Sequence, residues 1–286
     1  MGKRGRVCAD HCHGPQQEVA HPQAWARAAA KLVAKAGIHE IRFSTDCSGM
    51  EAPAEAIGRI CQETTSLRHK LAATHLAACD IGSLQRSYIQ QNHSPGLLFT
   101  DMTDRDWDNG GNSKLANGSF AKMPARPDCY ILGFPCAPWS SRRYQSQGWD
   151  DPATKPWHAG LDTIRNTRPR ICILENVHGL IRVLDKVLAS LHDIGGYYIA
   201  HFVDEGPQKF GYPLSRPRVY MVMVRQDATK VTSDEALRLA LASNLNKIQE
   251  ACSGRKAGHP ALQLPSRPPC ARIRPCTRAD APSCAV

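Results

Sequence analysis

Residues 38–63, IHEIRFSTDCSGMEAPAEAIGRICQE, read as a strand, a tight turn around Gly49 and a helix. The same order returns along the chain. KLAATHLAACD (70–80) precedes GSLQRSYIQQN (82–92), DCYILGF (128–134) is a further strand, and RICILENV (170–177) precedes GLIRVLDKVLASLHDI (179–194). Strands alternating with helices predict an α/β chain with a mainly parallel sheet and helices on both faces. Two more strands, YYIAHFVD (197–204) and RVYMVMV (218–224), lie close enough in sequence to pair antiparallel. A last helix is expected from about Thr232, with Glu235 closing a capping box, to about Cys252. Upstream, PQAWARAAAKLVAKAG (22–37) repeats apolar residues at helical spacing and stops at Gly37, a C-cap.

Composition narrows the class. With 286 residues, 42% of them apolar, the chain can bury a real core. It has no run of 18 apolar residues to span a bilayer, and its first residues, MGKRGRVCADHCHG, lack the apolar stretch of a secretory signal. Arg6 stands where myristoylation wants Ser or Thr. A soluble intracellular protein without a membrane partner is expected, nuclear in a eukaryotic cell. The 12 cysteines are scattered without a repeated CxxC, which favours reduced thiols. Cys8, His11, Cys12 and His13 lack a second pair at zinc spacing, so no metal site is expected.

Charge is concentrated at the ends. Of the net +10, residues 1–40 contribute +3 and residues 251–286 contribute +5. Basic ends around a nearly neutral middle suit loose, salt-sensitive attraction to phosphates. From Ser253 on, six prolines and few large apolar residues predict a disordered tail. The expected divisions are an N-terminal extension with a helix (1–37), one domain (38–252) and the basic tail (253–286).

Ligands of parallel sheets bind beyond the carboxyl ends of the strands, and the residues expected there form a set. CSGMEA (47–52) follows the first strand, Asp80 the second and Asp101 the stretch GLLFT; Pro135-Cys136 follows YILGF, and Glu175-Asn176-Val177 follows ICIL. Each has an ordinary reading when taken singly: a turn for Gly49, helix caps for Asp80 and Asp101, a solvated carboxylate for Glu175. Together they line one rim. Within GFPCAPWS (133–140), prolines on both sides of Cys136 would spoil a strand or helix, so this thiol is positioned rather than merely buried.

These motifs, in this order, resemble the DNA (cytosine-5)-methyltransferases. GFPCAPWS resembles the family's Pro-Cys motif, ENV at 175–177 its Glu-Asn-Val motif, and LSRPRVYMV its Gln-x-Arg-x-Arg motif, while CSGMEA stands where the family has Phe-x-Gly-x-Gly. The resemblance covers roughly residues 38–225. It implies the Rossmann-like fold of S-adenosylmethionine-dependent methyltransferases and methyl transfer to carbon 5 of cytosine. Cys136 would attack carbon 6 of the ring as a thiolate, favoured by its loop and the basic residues that follow. Glu175 would serve nitrogen 3 and the exocyclic amine, with Arg216 and Arg218 holding that carboxyl and the base's carbonyl oxygen.

S-adenosyl-L-methionine is the implied cofactor. Its methionine end would sit on Cys47, Ser48, Gly49, Met50 and Glu51, its ribose on Asp80 and its adenine on Asp101, with Pro135 and Leu161 beside it. The implied partner is DNA, its target base flipped out of the stack, with RNA as the alternative. Arg142 and Arg143, in the loop after Cys136, suit either phosphate contact on a closing lid or an ordinary exposed pair.

Four positions depart from the pattern: Ala137 and Leu214 stand for Gln, Cys47 for Phe and Glu51 for the second Gly. None removes a reacting group. Cys47 gives up an aromatic wall worth about 1 kcal/mol, and Glu51 brings a negative charge toward the cofactor's carboxylate. After Val224 only 62 residues follow, with no match to the family's target-recognition region or final segment. A partner protein supplying target recognition is therefore expected, and a non-catalytic nucleic-acid-binding relative is the contrasting reading.

Overall fold

A computed structural model describes residues 24–139, 149, 151–204, 206–210, 212 and 214–253. Arg142 and Arg143, the Cys8–His13 cluster and the tail beyond Ser253 lie outside them. In chain order the strands are β1 (Glu40–Asp46), β2 (Ala72–Cys79), β3 (Leu97–Phe99), β4 (Ser113–Lys114), β5 (Phe120–Ala121), β6 (Cys129–Leu132), β7 (Ile171–Val177), β8 (Tyr197–Asp204) and β9 (Arg218–Arg225). The helices are α1 (Ala24–Lys35), α2 (Ala52–Ser66), α3 (Ser83–Asn92), α4 (Lys155–Thr167), α5 (Leu184–His192) and α6 (Asp234–Ser253).

Seven strands form one sheet in the order β3-β2-β1-β6-β7-β9-β8, and β4 pairs with β5 apart from it. From β3 through β7 every pairing is parallel, whereas β9 runs antiparallel to both β7 and β8. The expected β8–β9 pairing is present, and β9 is also inserted beside β7. The order reverses between β1 and β6, where sheets of this kind open a crevice at their carboxyl ends.

Alternation along β7 fixes the layers. Cys172, Leu174 and Asn176 are buried on one face, in contact with a core that includes Trp157, Leu161 and Ile164 of α4 and Val187 and Leu191 of α5. Burying a side chain such as Leu174 or Trp157 contributes about 1.5–3 kcal/mol. The other face carries Ile171, Ile173, Glu175 and Val177, which are less covered. Helix α1 packs on α2 and α6 through the fully buried Ala26 and Ala30, small residues that let helices approach closely.

One helix start differs from expectation. The side chain of Ser233, not Thr232, caps α6, accepting from the Ala236 N–H at 3.1 Å. Glu235 turns outward to Arg238 at 2.6 Å instead of closing a box. A nearby guanidinium three residues on offers a charged partner, the stronger kind of hydrogen bond.

Candidate active site

Cys136 follows β6 in a loop anchored at both ends. Ahead of it, the Asn176 Nδ2 donates to the Phe134 carbonyl at 2.9 Å, and Phe134 packs on Trp157 at 4.8 Å between ring centroids. Behind it, the backbone N–H of Trp139 donates to the Cys136 carbonyl at 3.0 Å, and the Trp139 ring is buried. The thiol between these anchors is exposed, and Pro135 is half-buried.

Glu175 lies near the end of β7, beside the first residues of this loop: its Oε2 is 3.8 Å from where a Cβ on Gly133 would stand. Its Oε1 pairs with the Arg218 Nε at 2.5 Å, with both side chains one-third exposed or less. Arg218 opens β9, and its placement depends on β9 lying next to β7. Arg216 sits two residues earlier, in the extended segment before the strand, with its side chain exposed. Of the two arginines, Arg218 is the one that reaches Glu175.

Sequence comparison gives this rim a family. Residues 64–258, more than half of the chain, match the family described as C-5 cytosine-specific DNA methylase. The chain belongs to that family. A similar methylase is the DNA (cytosine-5-)-methyltransferase DMT5 of Cryptococcus neoformans var. grubii, 28% identical over 194 residues, which are 67% of this chain and 8% of that protein. Another is the type II methyltransferase M.BanI of Aneurinibacillus aneurinilyticus, 30% identical over 110 residues, 37% of this chain and 25% of that protein. The chain therefore spans a small part of the curated methylases it matches. Among solved structures, the Dnmt2 methyltransferase of S. pombe aligns with a TM-score of 0.45 at 15% identity, over 68% of this chain and 52% of that one.

Methylases of this family take their methyl group from S-adenosylmethionine. The carboxyl ends of β1, β2 and β3 fit it in kind. Gly49 adopts φ +56°, with open space where a Cβ would be, and its N–H donates to the Asp80 Oδ2 at 2.8 Å. Asp80 also accepts from the Gly82 N–H at 2.8 Å through Oδ1. Both carboxylate oxygens are thus aimed from the backbone, each with a lone pair left for a hydroxyl. Asp101 accepts from the N–H and hydroxyl of Thr103, each at 2.8 Å, through Oδ1 alone, as the cap of a short turn. Met50 is exposed at the turn, and Leu161 belongs to the same buried cluster as Phe134 and Trp157.

The charge expected from Glu51 at the cofactor end is not at the rim. Glu51 is fully buried in a left-handed conformation, φ +56°, and its carboxyl turns inward to accept from Thr45 at 2.5 Å. Burial, then the neighbouring Asp46 and Asp80, raise its pKa, although hydrogen bonds from Thr45 and Ser48 oppose the shift. His75 stands 3.8 Å away, stacked on Phe43, with its pKa lowered to about 4 by burial and by His93. The Glu51 Oε2 and the His75 Nδ1 have no hydrogen-bond partner.

The thiols sort themselves by burial. Cys47, whose Sγ lies 3.6 Å from the Met102 sulfur, is pushed well above the usual thiol range by burial and then by Asp46 and Asp80. Burial likewise raises Cys61, Cys79, Cys129, Cys172 and Cys252. Cys136 is the exposed cysteine among the described residues.

Three supports of the rim were given no role from the sequence, although Asn176 and Trp139 lie within the motifs quoted there. Asn176 anchors the cysteine loop, Trp139 closes it, and Asp46 at the end of β1 is held in a buried bidentate pair by Arg105, both contacts at 2.6 Å. The Tyr130 hydroxyl donates to Asp46 at 2.5 Å, and Thr163 of α4 stands 2.7 Å from Arg105. A polar residue ending a predicted strand was the available signal for Asp46.

Proposed function

We propose that the chain transfers a methyl group to carbon 5 of cytosine in DNA through a covalent bond from Cys136. The observation that carries this reading is the Glu175–Arg218 pair set beside a loop that presents an exposed thiol. Carbon 5 of cytosine is a weak nucleophile. Attack of the Cys136 thiolate on carbon 6 forms a carbon–sulfur bond and moves the ring's electrons toward carbon 5. A carboxyl proton of Glu175, shared with nitrogen 3, stabilises the charge that develops on the ring. Arg218 keeps that carboxyl oriented, and Arg216 would hold the base's carbonyl oxygen.

S-adenosylmethionine supplies an electrophilic methyl group when bound. Asp80 would take its ribose hydroxyls, Asp101 its adenine amine through the unused Oδ2, and residues 47–50 its methionine end, with Glu51 buried behind the turn. After methylation, loss of the carbon 5 proton and expulsion of the Cys136 sulfur restore the aromatic ring and the free enzyme.

The test uses DNA carrying 5-fluorocytosine, which has no proton to lose at carbon 5. With tritiated cofactor, a labelled protein–DNA complex stable to denaturing gels is expected from the wild type and absent from Cys136→Ser. Trapping that survives Cys136→Ser would remove this assignment. Parallel incubation of unmodified duplex and transfer RNA reads the substrate: label on the RNA alone would move the same chemistry there, and label on neither would leave a nucleic-acid-binding relative without turnover.

A further inference from the structure

Glu51 stands at the N-cap of α2, where a short polar side chain ordinarily accepts from the helix's own N–H groups, yet its carboxyl makes no such bond. It turns into the protein and meets a chain of hydroxyls. Glu51 Oε1 lies 2.5 Å from the Thr45 hydroxyl, which lies 2.9 Å from that of Ser48, and the Ser48 Oγ accepts from the Cys79 N–H at 3.3 Å. Ser48 also acts on the Glu51 carboxyl directly. Glu51 and Thr45 are buried, whereas Ser48 is half-buried on the turn after β1, next to Gly49. The chain thus runs from an interior carboxyl to the rim where the cofactor's methionine end would sit.

Counting protons fixes the direction of the chain. Each hydroxyl has one proton to give, and the Cys79 N–H can only donate. An ionised Glu51 can only accept. Thr45 then gives its proton to the carboxylate, and Ser48 gives its own inward, to Thr45 or to the carboxylate itself. A protonated Glu51 reverses the order: the acid donates to Thr45, Thr45 donates to Ser48, and the Ser48 proton is left over for an outside acceptor. Burial, then Asp46 and Asp80, favour the protonated form at a pH above the ordinary 4.5. Of the other titratable groups around Glu51, Asp46 on β1 is paired with Arg105, Asp80 at the end of β2 is held by two backbone N–H groups, and His75 on β2 is neutral above about 4.

We propose that Glu51 is a positioning residue that controls the hold on the cofactor's carboxylate through Ser48: protonated, it frees the Ser48 hydroxyl to donate to that carboxylate, and ionised, it withdraws the donor. The inference rests on the cofactor site proposed above. The family pattern has Gly at this position, which carries neither state. A carboxylate is held by donors, so the protonated form of Glu51 binds the cofactor more tightly. Affinity is then highest at low pH and falls as pH rises through the folded pKa of Glu51. By linkage, binding above that pKa takes up a proton.

The experiment is calorimetry of S-adenosylmethionine on the full chain without DNA, from about pH 6 to about pH 9, in two buffers of different ionisation enthalpy, which counts the protons exchanged. His75 stays neutral over this range. Wild-type affinity should fall about tenfold or more, the scale of one hydrogen bond to a charged group, with up to about one proton taken up on binding. Glu51→Gln does not titrate, and should lose both effects apart from the part that the ligand's own amine contributes equally to every variant. Ser48→Ala should bind about tenfold more weakly at the acid end and lose the same part of the profile. Thermal melts at each pH confirm that the proteins compared are folded. One shared profile for wild type and Glu51→Gln overturns the inference. So does a Ser48→Ala protein that keeps the wild-type profile, because a merely structural Glu51 would act without Ser48. No binding by the folded wild type at any pH would remove the cofactor site itself, and the inference with it.

Discussion

Glu175→Gln keeps the shape of the side chain and removes the carboxyl on which the proposed chemistry depends. Turnover should fall about 100-fold or more, the scale of a positioned general acid, while calorimetric cofactor binding stays near wild type. Loss of cofactor binding as well would assign Glu175 to structure. Glu51 gives a different kind of residue-scale prediction, because its folded pKa is raised. A carboxyl of this kind costs stability once it ionises, so its contribution falls as pH rises from the ordinary value of 4.5 through the raised one. Glu51→Gln imitates the protonated form. Its melting temperature should exceed that of wild type at pH 8, and the difference should vanish below about pH 4, as read by thermal melts across pH. His75 acts in the opposite sense: it is neutral in the fold, and acidification from 6.5 to about 4 withdraws stability. The Glu51→Gln difference curve separates the two, because His75 is present in both proteins.

At the scale of elements, the Asp46–Arg105 pair ties the end of β1 to the segment after β3, with Thr163 of α4 beside it. Arg105→Met would leave a buried carboxylate with only the Tyr130 hydroxyl and should destabilise the protein by about 3–5 kcal/mol in denaturant titration. A loss under about 1 kcal/mol would mean that the pair is not what ties these segments together. The order of the elements made most strands and helices legible, because short apolar runs such as ICIL and helical spacing in LDKVLASL report burial directly. The rim was legible for the same reason: residues that end parallel strands meet at one edge. Arg105 was not legible, since a lone arginine in a loop has no periodicity to betray a buried partner. Nor was the inward turn of Glu51, which depends on the backbone at one residue, or the choice of Ser233 over Thr232, where two adjacent hydroxyls offer the same cap.

For the whole molecule, the net +10 is carried mainly by the ends of the chain. Phosphate contacts of that sort supply affinity without reading bases. Deleting residues 254–286, which removes +5, should flatten the slope of log affinity against log salt by up to about 4 units if those residues meet phosphates. An unchanged slope in filter binding at several salt concentrations would place the contacts elsewhere. The position of β9 also has a consequence for how the protein is made. The chain emerges from the ribosome from its N-terminus, and Cys136 and Glu175 are both synthesised before Arg218. β9 then enters the sheet between two strands already made. A nascent chain thus holds Cys136 and Glu175 before it has the Arg218 guanidinium that pairs with that carboxyl, so the proposed site is completed only by one of the last strands to be made.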